Sequence, residues 1–188
     1  MTAARVVLWR HGETDWNATG RYQGQADVEL NVRGVQQAQA AAPLIAALKP
    51  SRIVSSDLSR ARTTAAELGA LTGLTVQVEP RLQEINVGDW AGLTNQQVFA
   101  DHPAFAEALH AGRDARRSTT GETGAEAGAR VATALLDIAE STPDGQTAVA
   151  VGHGFAMRVA TVFLLGLDYA HNLTLGGLWN ASWSVLQP

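Results

Sequence analysis

The chain has 188 residues, a formal net charge of −4 and an isoelectric point near 5.7. That length suits one domain, 1–188, with no composition shift to mark a linker, and the acidic balance argues against a nucleic-acid or membrane-surface binder. No cysteine is present, which removes disulfides, thiolate nucleophiles and zinc–thiolate sites and fits a reducing cytoplasm.

Met1 leads into the short apolar run Val6-Val7-Leu8-Trp9, closed by Arg10-His11-Gly12. The run is too short for a signal peptide and reads as a buried strand ending in a loop. Nowhere is there an apolar run long enough to span a bilayer. From Asn31, a plausible cap, Val35, Ala38, Ala42, Ile45 and Leu48 recur at helical spacing, with Pro43 expected to kink the helix. Arg52 to Ser55 is a second strand. Ser56 or Asp57 then caps a helix with the stripe Leu58, Ala61, Ala65, Leu68 and Leu71, stopped at Gly73. Thr75 to Val78 is a third strand.

Arg81 to Leu93 reads as irregular, followed by short helices near 95–100 and 103–111. Gly112 to Gly128, polar and glycine-rich, reads as a surface loop or lid. Helical spacing returns at Val131, Leu135 and Ile138. Thr147 to Val151 is a strand, Gly152-His153-Gly154 its turn, and Phe155 to Leu165 a buried helix. Short strands near 173–175 and 182–186 close the chain.

Strands alternating with helices imply a mostly parallel sheet covered on both faces. Ligands of such sheets bind beyond the carboxyl ends of the strands. His11 and His153 each follow a strand, so both belong on one rim.

Only Lys49 among the 14 basic residues is a lysine, so a phosphate site here must use arginine, whose planar fork grips two oxygens at once. A phosphohistidine mechanism needs a neutral imidazole, cations around the phosphoryl oxygens and an acid for the leaving alkoxide. His11 is the candidate nucleophile, with Arg10 beside it. Arg60 falls in the first turn of a helix, where the helix terminus also favours an anion. His153 is positioned to donate to the same phosphate, and Glu84 is the candidate proton donor. Each residue singly has an ordinary structural alternative; joint placement at one rim singles them out. A phosphate loop ending in Gly-Lys, a complete dinucleotide fingerprint and paired metal-ligand histidine spacing are all missing from the sequence. Trp16, Trp90 and Trp179 could border a pocket.

The pieces Leu8–Asn17, Gln23–Asp27, Ser55–Ala61 with Thr64-Ala65, Leu82-Gln83-Glu84 with Gly88–Gly92, and Val151–Gly154 resemble, in that order, the histidine phosphatase superfamily in its phosphoglycerate mutase-like branch. The resemblance spans essentially the whole chain. It implies a three-layer α/β/α sandwich with one antiparallel strand. It also implies His11 as nucleophile, Glu84 as acid, Arg10, Arg60 and His153 as the phosphate pocket, Asn17 and Gln23 as further contacts, and neither metal nor cofactor. The short interval from Glu84 to His153 favours the phosphatase side of the family. The run 88–94 and Asn180-Ala181-Ser182-Trp183 resemble actinobacterial glucosyl-3-phosphoglycerate phosphatases.

Arg116 and Arg117 have no clear counterpart in the family and are expected to bind a second anionic group. The expected partner is a small phosphomonoester, with a homodimer one admissible assembly. A phosphoglycerate mutase and a phospholigand-binding module without catalysis remain the alternatives.

Overall fold

The run Val6–Trp9 becomes the interior of the sheet, and its alternation explains the layers. The computed structural model of the chain describes residues 4–187. Strands β1 (Arg5–Arg10), β2 (Arg52–Ser55), β3 (Val76–Val78), β4 (Thr147–Gly152) and β5 (Trp183–Leu186) lie side by side in the order β3-β2-β4-β1-β5. Pairings β1/β4, β2/β4 and β2/β3 are parallel, and β1/β5 is antiparallel.

Successive strand side chains point to opposite faces. Val6 and Leu8 therefore join Ala148 and Ala150 under α6 (Gly124–Glu140) and α7 (Gly154–Leu164). Val7 and Trp9 join Val149 and Val151 under α2 (Val32–Ala46) and α3 (Ser59–Thr72), the short α1 (Asp15–Ala18) lying between β1 and α2 in the chain. The result is the expected three-layer α/β/α sandwich. A third apolar cluster, with Ile85, Val87, Trp90, Val98 and Phe105, lies with α4 (Asn95–Asp101) and α5 (Pro103–His110). None of the helices described is long and apolar enough to cross a membrane.

Several local expectations change. Asn31 does cap α2, accepting from the Gly34 amide at 2.8 Å, and α2 continues past Pro43 to Ala46. The cap of α3 is Leu58, which has no side-chain acceptor; the Ser56 hydroxyl serves it from outside by accepting the Leu58 N–H. Leu71 falls off the buried stripe and is 58% exposed. Gly124 to Gly128 is the first turn of α6 rather than loop, started by a capping box between Thr123 and Glu126. Its glycines allow close packing: a Cβ on Gly124 would meet the Tyr169 ring, and one on Gly128 the Val159 side chain. Residues 173–175 form no strand, and Leu173 is exposed.

Candidate active site

Register brings the two histidines together. Arg10 on β1 is paired with Gly152 on β4, so the next residue of each strand leaves the sheet at the same place. The rings of His11 and His153 lie 5.1 Å apart between centroids. The His11 amide donates to the Gly152 carbonyl at 3.0 Å. In its side chain, Nδ1 lies 2.6 Å from the Gly12 carbonyl. A carbonyl can only accept, so Nδ1 carries the ring proton and Nε2 keeps its lone pair. Burial, then the charges of Arg60 and Arg10, hold the His11 pKa well below the ordinary histidine value. The ring is neutral near pH 7.

The loop carrying His11 is held from three directions. Gly12 donates its amide to Thr64 Oγ1 of α3 at 3.1 Å. Asn180 Nδ2 donates to the carbonyls of His11 and Gly12 at 3.3 and 3.2 Å. Gly12 also lies against Gly34 at the start of α2, and a Cβ on Gly12 would fall on the Gly34 carbonyl. Backbone approaches of this kind leave no room for a side chain.

Arg60, in the first turn of α3, is fully buried. It donates from Nη1 to the Ala26 carbonyl and from Nη2 to that of Gly24, both at 2.7 Å, and from Nε to His153 Nδ1 at 3.3 Å. Burial lowers its pKa to about 10, against the opposing pull of Glu84 and Asp27, and it stays cationic. Because His153 Nδ1 accepts from Arg60, Nε2 is the protonated nitrogen; it donates to Ser56 Oγ at 3.0 Å. Burial, with the neighbouring charge of Arg60, holds His153 neutral as well. Arg10 donates from Nη1 to the Leu178 carbonyl at 2.7 Å, while its buried Nε has no partner.

Glu84 reaches the rim from the irregular stretch after β3. Oε1 accepts the amides of Ile85 and Ala156, both at 2.9 Å, and Oε2 that of Phe155 at 3.1 Å. His153 caps α7 only with its backbone, so Glu84 supplies the acceptors that the first turn of that helix lacks.

Arg10, His11, Arg60 and Glu84 open onto one cavity of about 340 Å³, which Asn17 and Gln23 also line. The amide oxygens of these last two lie 3.2 and 3.0 Å from the Thr14 hydroxyl, and Asn17 Oδ1 also accepts from Asn180. Both NH₂ groups are therefore the ends left for an anion. His153 stands behind this wall, with no exposed surface. Tyr22, Phe105 and Leu109 form an apolar side.

Of the two expected second-anion residues, Arg117 lines the cavity but is buried and paired with Asp114 at 3.1 Å. Arg116 is not brought to the cavity: it pairs with Glu126 at 2.6 Å and donates to the Gly121 carbonyl. Sequence reasoning missed Arg158, Arg113, Tyr169 and Asn172 among the lining residues. Only Arg158 had a legible signal, since it lies one helical turn beyond Gly154. None of Trp16, Trp90 and Trp179 lines the cavity; Trp90 is in the core and Trp179 is 83% exposed.

A sequence profile of the histidine phosphatase superfamily (branch 1) matches residues 6–188. The chain is 41% identical over 194 residues to the glucosyl-3-phosphoglycerate phosphatase of Mycobacterium tuberculosis (strain ATCC 25618 / H37Rv), covering 99% of this chain and 86% of that protein. It is 36% identical over 163 residues to a probable phosphoglycerate mutase of Erwinia tasmaniensis, covering 87% of this chain and 75% of the other. Among solved structures, a mycobacterial glucosyl-3-phosphoglycerate phosphatase in complex with VO3 matches with a TM-score of 0.88 at 42% identity, covering 96% and 91% of the two chains.

Proposed function

We propose that this chain, which belongs to the histidine phosphatase superfamily and is a phosphomonoester hydrolase, works through a phosphohistidine on Nε2 of His11 and acts on glucosyl-3-phosphoglycerate or a similar acidic sugar phosphate. The observation that carries the chemistry is the neutral His11 ring, proton on Nδ1 and lone pair on Nε2, close enough to Arg60 and Arg10 to feel the charge of both.

In the first step Nε2 attacks phosphorus from the side opposite the ester oxygen. The N–P bond forms as the P–O bond to the alcohol breaks. Arg10 and Arg60 stabilise charge on the non-bridging oxygens. Glu84 protonates the leaving alkoxide; Oε2, which accepts one amide where Oε1 accepts two, is the oxygen to carry that proton. Glu84 then takes a proton from water, whose oxygen attacks the phosphohistidine to release phosphate and restore His11. His153, behind the cavity wall, acts through Arg60: its Nδ1 accepts from Arg60 Nε while its Nε2 is anchored on Ser56, which holds that guanidinium in place. The cationic end of the cavity fits the phosphate and the apolar side fits a sugar ring. The charge on the phosphoryl group is met by arginine, so EDTA is expected to leave turnover unchanged. A chain without cysteine suits the cytoplasm.

Incubation with glucosyl-3-phosphoglycerate and a panel of phosphomonoesters, read as free phosphate, tests the activity. His11→Ala is expected to abolish release, and rapid acid-free quenching of the native protein should trap a phosphohistidine. Near-normal turnover by His11→Ala would overturn the mechanism. Conversion of 3-phosphoglycerate to 2-phosphoglycerate without phosphate release would instead make the chain a mutase.

A further inference from the structure

The arginines around the cavity are almost all spoken for by the protein itself. Arg60 serves the carbonyls of Gly24 and Ala26, Arg10 serves that of Leu178, and Arg21 that of Gly92. Arg113 is paired with Glu107, and Arg117 with Asp114. Arg158 differs. Among the described residues its guanidinium makes no hydrogen bond and no ion pair, and its Nε is sealed from solvent without a partner. Its guanidinium carbon lies over the Phe155 ring, 5.5 Å from the centroid. A half-buried cation without an acidic partner costs stability that an anion from outside the chain would restore.

Its place narrows what that something is. Arg158 follows Gly154 by one turn of α7, so both lie on one helix face. Beside the main cavity is a recess of about 270 Å³ lined by Arg10, Glu84, Phe155, Arg158 and Leu178. Arg10, Glu84, Phe155 and Arg158 belong to the walls of both spaces. The other unpartnered buried guanidinium nitrogen of the site, Nε of Arg10, lies beside Gly154, a residue of the recess wall. Glu84, the carboxylate on that wall, has its oxygens turned onto the amides of Ile85, Phe155 and Ala156.

Resting on the hydrolase reading above, we infer that Arg158 binds a second acidic group of the substrate, a carboxylate a few bonds from the phosphate ester. This makes it a specificity-determining residue. Arg10 then faces the phosphoryl group and Arg158 the carboxylate, and the planar fork of Arg158 can take both carboxylate oxygens. The role expected from sequence for Arg116 and Arg117 passes to Arg158, because those two already have acidic partners.

The test compares 3-phosphoglycerate with glycerol 3-phosphate, which lacks the carboxylate. The native protein is expected to favour the acid in kcat/KM by roughly ten-fold or more, as one charge-assisted bidentate contact would give. In R158M this ratio should collapse towards one, through KM for the acid rather than kcat. R158K, which keeps the charge without the fork, should fall between.

Equal losses on both esters in a folded R158M would make Arg158 structural and overturn the inference, as would a retained preference. A native protein with no preference for the acid overturns it without any variant. Titration of the two esters into H11A protein reads the same preference as affinity. If no ester is hydrolysed, the hydrolase reading fails, while this titration still decides the role of Arg158.

Discussion

Glu84 accepts the backbone N–H of Ala156 through Oε1 at 2.9 Å, so a loop following β3 holds the first turn of the helix that begins behind His153. One carboxyl group thus joins the irregular segment to the sheet rim and faces the cavity.

Glu84→Gln is expected to separate these duties. The amide keeps one acceptor oxygen but presents NH₂ where an acceptor is needed, which should cost about 1 kcal/mol of stability, as loss of a helix cap does. Loss of the acid should slow alkyl phosphates by roughly 10²–10⁴-fold. Nitrophenyl phosphate should suffer much less, because its leaving group needs little protonation. Steady-state rates on both substrates, with a thermal melt, check this; equal losses would remove Glu84 from the acid role.

The buried histidines set a pH dependence. His11 and His153 both have folded-state pKa values well below the ordinary 6.5. As pH falls through 6.5, the unfolded chain takes up protons that the folded chain refuses. Their contribution is complete above that value and is lost as pH drops towards the folded-state pKa values. The acid limb of kcat/KM should likewise lie well below 6.5, once titration of the substrate phosphate near about 6 is divided out. A protein-derived limb at or above 6.5 would contradict a neutral His11. Denaturant titrations across the acid range should show H11Q less acid-sensitive than the native protein.

The rim was legible because its causes are local. Val6–Trp9 and Thr147–Val151 carry strand patterns, and His-Gly turns end both. Their adjacency followed from the rule for parallel sheets, and the register of Arg10 with Gly152 makes it concrete. Long-range contacts were less accessible. Nothing near Asn180 announces that its amide steadies His11, and Ser56 looks like a cap when it also receives His153. Gly124 and Gly128 suggest a loop until Tyr169 and Val159 are seen packed against them; Thr123 and Glu126 were the signal that a helix starts there. Arg158 hides in a helix whose other residues look like core.

Substitution at the glycine seam should damage the site through the backbone. A Cβ on Gly34 would fall on the Glu13 carbonyl, and one on Gly12 on that of Gly34. Gly34→Ala should cost ~1–3 kcal/mol by overpacking, or about 2–4 °C of melting temperature per kcal/mol for a chain of this size. Its activity should fall further than its stability, since displacement of the His11 loop misaligns the proposed nucleophile. Calorimetry and kcat measured well below the melting temperature separate the two effects.

Arg60→Lys should be far from conservative. Lysine has no planar fork with which to reach Gly24, Ala26 and His153 together. The expected result is a loss of roughly 10²-fold or more in kcat/KM, comparable with removing one oxyanion donor, on every phosphomonoester tried. A loss confined to acidic substrates would instead place Arg60 away from the phosphoryl group.

The position of β1 also bears on how the protein is made. This strand is made before both of its neighbours in the sheet, β4 and β5, with α2 to α6 lying between them in the sequence. Val6–Trp9 must therefore wait without its partner strands while the intervening helices are synthesised. During that interval an apolar, β-prone segment is open to association with other nascent chains. Slowed elongation before β4, or loss of β5, should be felt first as aggregation, with His11 already made and nothing yet to seat it.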